Sequence, residues 1–272
     1  MVVFPNAKIN IGLFITGKRP DGYHDLLSFF YPLMIHDALE IVPGNGDLED
    51  IRFNSSGLAV SGKPDDNLCA RAYRMLKADH PHLPAIDAHL LKKIPMGAGM
   101  GGGSADGSFM LMMLNRYFQL NIPESVLFEY ALRLGSDCPF FILNKPAIVR
   151  GRGETLKPIH IDFSGYQLLV VNPGIHVPTG WAFSQIKPRE EEPPLEDWLQ
   201  LPVTSWKQYI ENDFFAPVAA KYPEIRALHD AMYDTGAVFA SMSGSGSTVF
   251  GLFPKGHTPT LSFPPGYFQK WI

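Results

Sequence analysis

The sequence predicts an α/β protein of two domains, and three observations carry that reading. The first third is rich in segments that alternate with a period of two. Further along, apolar residues recur at helical spacing, as in 67–77, 104–118 and 123–134. A chain of 272 residues is long for one core and comfortable for two. A domain boundary is expected at the strand-like stretch 147–156, giving an N-terminal domain 1–150 and a C-terminal domain 151–272.

In order, residues 2–16 read as a strand in which Lys8 and Asn10 alternate with Ile9 and Ile11, and on pattern alone both polar residues would line a solvated face. Turn formers at 17–22 suggest a hairpin loop ahead of Tyr23 and His24. Strand-like segments follow at 28–42 and 50–61, broken by Pro43-Gly44-Asn45-Gly46. Asp65 and Asp66 are placed to cap a helix over 67–77, and 86–94 reads as a strand with one partly exposed face. A helix from Ser104 to about Phe118, capped by Ser or Asp, carries a Met cluster at 110, 112 and 113 that reads as core filler. Another helix spans 123–134 and stops at Gly135. In the second half the pattern gives a strand at 166–173, a short helix from Pro178, an exposed charged loop at 188–202, helices at about 205–220 and 223–234, and a strand led by Gly236. A small-residue loop at 241–248 then runs into a strand.

Composition narrows the function. A net charge of −4 and a pI near 6.1 argue against a nucleic-acid surface, which needs clustered basic residues. No run reaches a membrane span, and the first residues lack the basic and apolar regions of a signal peptide. Cys69 and Cys138 sit in no metal or redox spacing and read as small residues of a reducing compartment. The expectation is a cytoplasmic protein with no nucleic-acid or membrane partner.

The strongest local signal is Pro95-Met96-Gly97-Ala98-Gly99-Met100-Gly101-Gly102-Gly103-Ser104, with five glycines in the seven positions 97–103. Glycine reaches positive φ and lets a ligand approach the backbone, and a helix N-terminus favours anions, so the loop is a phosphate site rather than a linker. Its GxGxxG spacing also fits a dinucleotide fingerprint. Lys92 and Lys93 in the preceding strand, and Glu124 at a helix start instead of a strand end, argue against that. A GxxxxGK[ST] loop is absent. Asp137, wedged between a helix end and Cys138-Pro139-Phe140-Phe141, reads either as a cap or as a functional carboxylate.

Taken with Ser243-Gly244-Ser245-Gly246-Ser247-Thr248, the glycine loop resembles the ATP-binding and C-terminal motifs of the GHMP kinase superfamily. Three further stretches, 7–13, 19–26 and 135–141, are similar to those of its members that act on a cytidyl diphosphate sugar alcohol. The resemblance implies a ribosomal-protein-S5-like N-terminal domain and a ferredoxin-like C-terminal domain, with the active site in the cleft between them. The implied reaction moves the γ-phosphoryl of ATP to the tertiary hydroxyl of a methylerythritol unit in non-mevalonate isoprenoid synthesis. Asp137 is then the base or orienting group, and Lys8 steadies it, against the solvated reading of Lys8 alone. Pro95, Gly97, Ala98, Gly99, Met100, Gly101, Gly102, Gly103 and Ser104 take the ATP phosphates, and Asn67 the adenine end. Ser104 either touches phosphate or a Mg²⁺ accompanying ATP, or caps its helix. Tyr23, His24 and Phe183 map to the cytidine end, and Asn10 and Thr179 to the sugar or diphosphate. Other small-alcohol GHMP kinases, of homoserine or mevalonate type, and a nucleotide sensor on the same fold are the competing expectations. A monomer or a homodimer is allowed.

Overall fold

A computed structural model describes residues 1–44, 50–60, 62–257 and 259–272. Part of the expected turn at 43–46 and the last residue of the expected strand at 50–61 lie outside the described residues. The chain opens with β1 (Val2–Val3), β2 (Asn6–Lys18), β3 (His24–His36), β4 (Ala38–Pro43) and β5 (Ile51–Gly57). A 3₁₀ turn at Pro64–Asp66 leads to α1 (Leu68–Asp79), β6 (Ile86–Lys92), α2 (Gly102–Tyr117), α3 (Glu124–Leu134) and α4 (Cys138–Leu143). Next come β7 (Ala147–Gly151), β8 (Thr155–Pro158), β9 (Tyr166–Asn172), α5 (Thr179–Ser184) and α6 (Leu195–Leu199). After a second 3₁₀ turn at Val203–Gln208 the chain closes with α7 (Phe215–Lys221), α8 (Pro223–Asp234), β10 (Phe239–Met242), β11 (Val249–Pro254) and β12 (Phe268–Trp271). Among the described residues, no helix is long and apolar enough to cross a membrane.

Two compact units form, interleaved along the sequence. The first comprises Met1–Lys8, Pro32–Met96 and Gly101–Lys145. Its sheet has the order β1-β4-β6-β5, with β6 antiparallel to β4 and parallel to β5. The apolar faces of α1 and α2 cover it with Tyr73, Leu76, Met110, Leu111 and Leu114, and Met113 joins the same core, as the Met cluster predicts. Asn67, not Asp65 or Asp66, caps α1, its Oδ1 accepting the Cys69 N–H at 2.9 Å. Helix α2 begins two residues earlier than its apolar period suggests, with left-handed Gly101 at the cap and no side-chain cap at all.

Alternation along β6 puts Ile86, Ala88 and Leu90 inward, and the same period carries Lys92 inward as well. A buried ammonium must be paired. Lys92 Nζ donates to Asp37 Oδ2 at 2.5 Å and to Asp106 Oδ2 at 2.7 Å, while Asp37 Oδ1 accepts the backbone N–H of Ile94 at 2.9 Å. The β3–β4 corner, the end of β6 and the second turn of α2 are thereby tied together. Burial drags the Lys92 pKa down, but the charges of Asp106 and Asp37 outweigh it and leave it raised.

The second unit comprises Ile9–Tyr31, Gly97–Met100 and Pro146–Ile272. It holds an antiparallel sheet of order β10-β11-β9-β12 and the parts of the β2-β3-β7-β8 sheet that fall within these residues. The expected single strand at 147–156 is instead the hairpin of β7 and β8. In the expected exposed loop at 188–202, Leu195 and Leu199 share one face of α6 and are buried. The expected helix at 205–220 is broken because residues 211–213 pair with β2: Leu13 N–H donates to Glu211 O, and Asp213 N–H to Leu13 O, each at 2.9 Å.

Within this unit the loop at 97–100 lies against the second small-residue loop. Ser243 Oγ donates to Gly99 O at 2.8 Å and Thr248 N–H donates to Ala98 O at 3.2 Å. A Cβ on Gly99, where φ is +78°, would sit 2.0 Å from Ser243 O. Gly99→Ala should therefore cost about 2 kcal/mol or more in urea unfolding, through left-handed strain and a backbone clash. Gly103→Ala, whose Cβ meets nothing nearer than Met96 Cε at 3.9 Å, should leave stability within about 0.5 kcal/mol or raise it.

The Lys92 cluster makes stability pH-dependent. Burial pushes the Asp106 carboxyl from 3.8 up to about 7, against the pull of Lys92 and with the charge of Asp37 adding to the rise. With the native pKa above the unfolded one, the stabilisation is full below about pH 4 and is lost as pH rises through about 7. Between about pH 5 and 8, the unfolding free energy of Asp106→Asn should fall less steeply than that of the wild type. Parallel slopes in urea titrations would show that Asp106 is ionised throughout this range.

Candidate active site

The geometry is built in each unit separately. In the first, Lys8 stands on β2 and is only 2% exposed, so the solvated-face reading of its alternation does not hold. Its Nζ lies 3.2 Å from Asp137 Oδ2, and that carboxylate keeps 34% of its side-chain surface open. Burial lowers the Lys8 pKa, and the charge and hydrogen bond of Asp137 oppose the shift. Asp137 occupies the cap position of α4 yet makes no capping hydrogen bond, so the cap alternative falls away.

The second half of the glycine loop meets this pair. A Cβ on Gly101 would lie 3.1 Å from Lys8 Cε and Cγ and 2.9 Å from Phe141 Cζ, and φ there is +68°. A Cβ on Gly102 would lie 3.0 Å from Lys92 Nζ and 2.8 Å from Ile94 Cγ2. The N–H groups of the first turn of α2 have no preceding turn to accept them, which is the arrangement that binds anions. The Ser104 hydroxyl is not a helix cap. It bears with Ser108 on the Cys138 thiol, which burial pushes up to about 11. Asn67, assigned to the adenine end, uses its carbonyl oxygen on the cap of α1. Pro95 is half-buried and Met100 is buried.

In the second unit Ala98 and Gly99 are held by 243–248 as described, and a Cβ on Gly97 would lie 3.3 Å from His176 Nδ1. Asn10 is 1% exposed; its N–H donates to Ser243 Oγ at 3.1 Å and its Nδ2 to Ser28 Oγ at 3.1 Å. Its amide is therefore engaged at the base of the glycine loops. His24 and Phe183 stack with ring centroids 4.8 Å apart and planes at 20°. Tyr23, beside His24 in sequence, is 48% exposed, with the Arg152 guanidinium 4.0 Å from its ring centroid. Thr179 opens α5, its hydroxyl 3.3 Å from Ser245 Oγ.

The structure thus groups Lys8, Asp137, Gly101, Gly102 and Ser104 within one unit. In the other it groups Asn10 with Gly99, His24 with Phe183, and Thr179 with the second glycine loop. Sequence reasoning missed Arg152, Ser28, and the Asp37–Lys92–Asp106 cluster. Only Lys92 gave a signal, as a lysine at an inward position of a strand. Among the described residues, no group of three or more His, Cys, Asp or Glu is placed to hold a metal ion.

Residues 67–145 match the family described as GHMP kinases N terminal domain, and residues 201–259 that described as GHMP kinases C terminal. A 4-diphosphocytidyl-2-C-methyl-D-erythritol kinase of Bacteroides fragilis is 48% identical over 253 residues, covering 93% of this chain and 92% of that protein. A crystal structure of 4-(cytidine 5'-diphospho)-2C-methyl-D-erythritol kinase aligns with a TM-score of 0.77 at 31% identity, over 93% of this chain and 90% of that one. Homoserine kinase from Cytophaga hutchinsonii aligns with a TM-score of 0.64 at 14% identity, over 93% and 86% of the two chains, a likeness of fold alone. With the Lys8–Asp137 pair beside a glycine loop and relatives this similar along nearly the whole length, the chain belongs to the 4-diphosphocytidyl-2-C-methyl-D-erythritol kinase family of the GHMP kinases, phosphotransferases that act on an alcohol.

Proposed function

We propose that the protein transfers the γ-phosphoryl of ATP to the tertiary 2-hydroxyl of 4-diphosphocytidyl-2-C-methyl-D-erythritol, a step of non-mevalonate isoprenoid synthesis. The observation that carries the residue assignment is the buried Lys8 held 3.2 Å from a partly open Asp137 at the end of the glycine loop. Phosphoryl transfer asks a protein mainly for positioning and charge stabilisation. Asp137 orients the attacking hydroxyl and accepts its proton as the oxygen bonds to the γ-phosphorus and ADP leaves. Lys8 holds that carboxylate in place and offsets the charge that develops on the transferring oxygens.

Residues 97–103 and Ser104 receive the phosphates through backbone N–H groups leading into the start of α2, Pro95 bounds that loop without an N–H of its own, and Asn67 lies toward the adenine end. A Mg²⁺ brought by ATP would be held by the Ser104 hydroxyl, which serves no helix cap and bears on the Cys138 thiol. Bound there, the ion would neutralise phosphate charge. Asn10, Tyr23, His24, Thr179 and Phe183 take the cytidyl diphosphate alcohol, the aromatic rings receiving the pyrimidine. In this reading 1–150 is the domain of the ATP loop and the catalytic residues, which also carries Asn10, Tyr23 and His24, and 151–272 is the substrate-side domain with Thr179 and Phe183. The protein works in the cytoplasm as a monomer or homodimer, without nucleic-acid or membrane partners.

A coupled ADP-release assay tests the substrate. Release should need the cytidyl alcohol, and homoserine or mevalonate should not replace it; equal rates with either would sink the assignment. Asp137→Ala should lower kcat by about 10² to 10⁴ with KM for both substrates little changed, and retention of more than about a tenth of wild-type kcat would remove Asp137 from the chemistry. Lys8→Met, which keeps the buried volume without the charge, should lower kcat by about 10² or more while remaining folded by circular dichroism.

A further inference from the structure

The turn between β7 and β8 carries a residue that the roles above do not use. Gly151 and Gly153 take φ of +68° and +124°, and the Glu154 carboxylate accepts the Arg152 N–H at 2.6 Å. A Cβ on Gly151 would lie 2.6 Å from both Glu154 oxygens, so the carboxylate folds back over a bare position of the turn. The turn lays the guanidinium of Arg152 over the Tyr23 ring, its Cζ 4.0 Å from the centroid.

The charges around Tyr23 are unevenly matched. Arg19 pairs with Asp21 at 3.3 Å, with Asp25 at 3.0 Å and with Glu154 at 3.6 Å. Those three carboxylates are taken. Among the described residues Arg152 forms no ion pair, although its charge reaches Asp21, and its buried Nε has no hydrogen-bond acceptor. A buried donor left unpaired in a folded protein calls for an explanation, and a stacked guanidinium is a planar fork suited to phosphate oxygens.

Resting on the cytidyl-substrate reading, we propose that Arg152 is a specificity-determining residue that binds a diphosphate oxygen of that substrate. Contact with the Tyr23 ring positions the fork, and the absence of an ion pair among the described residues leaves its side-chain N–H groups for the ligand. The base is the less suitable target, because a neutral pyrimidine edge needs donors and acceptors but no uncompensated cation. The diphosphate is the part of the substrate whose charge demands one.

The test uses CDP and cytidine as competitive inhibitors of the full-length enzyme against the cytidyl alcohol. In Arg152→Ala, inhibition by CDP should weaken about tenfold or more, inhibition by cytidine should stay within about twofold, and KM for ATP should not move. Arg152→Lys, which keeps the charge without the flat fork, should recover part of the CDP affinity. Equal losses for CDP and cytidine would mean that Arg152 only shapes the Tyr23 ring, and unchanged CDP inhibition would mean that it touches no phosphate. Either result overturns the proposal. Wild-type turnover of the cytidyl alcohol is read first: its absence defeats the substrate reading, whereas its presence with an unaltered Arg152→Ala defeats this inference alone.

Discussion

Two buried lysines crowd two positions of the glycine run. Lys8 and Lys92 project inward from two strands of the first unit, and their side chains lie against Gly101 and Gly102, where a Cβ would come within 3.1 Å and 3.0 Å of them. A side chain there would press on the lysines and, more closely, on Phe141 Cζ at 2.9 Å and Ile94 Cγ2 at 2.8 Å, and Gly101 also takes a φ of +68°, so both positions favour glycine where the chain enters α2. Glycine here answers a packing demand as well as a ligand demand, and the same bare backbone then serves an anion.

The lysines diverge in what surrounds them. Lys92 is enclosed with two carboxylates, and their charges overcome burial and raise its pKa. At Lys8 burial dominates over Asp137, and its pKa is lowered. One residue type, desolvated in both cases, is locked in the first and held less tightly in the second. A lysine whose partner keeps an open edge can respond to charge arriving on a substrate, while one closed between two aspartates can only hold elements together.

The sequence made the chemistry more legible than the local structure. The glycine loop, Lys8, Asp137 and the Tyr23-His24 pair all stand in contiguous stretches, and the glycines announce backbone exposure by their composition alone. Errors fell where a distant partner decides. Period-two alternation cannot tell a solvated lysine from one buried against a carboxylate 129 residues away in sequence, as Lys8 is from Asp137. A cap was one of the two readings of Ser104, but Gly101 reaches the left-handed cap on its own and the hydroxyl bears on the Cys138 thiol instead. Residues 211–213 look helical until β2 offers its backbone, and the charged run at 188–202 hides the pair Leu195 and Leu199 that seats α6.

A net charge of −4 would repel ATP and a diphosphate alike if charge were spread evenly. It is not. Around Tyr23 the carboxylates Asp21, Asp25 and Glu154 are gathered by Arg19, so that among the described residues the neighbouring Arg152 forms no ion pair. At the glycine loop the favourable charge is the partial positive end of α2, beside a buried Lys8 whose charge Asp137 partly offsets. Local attraction of this kind acts over a few ångströms, so it contributes to the bound complex more than to long-range steering, and raising ionic strength should weaken encounter less than it would for a basic protein surface.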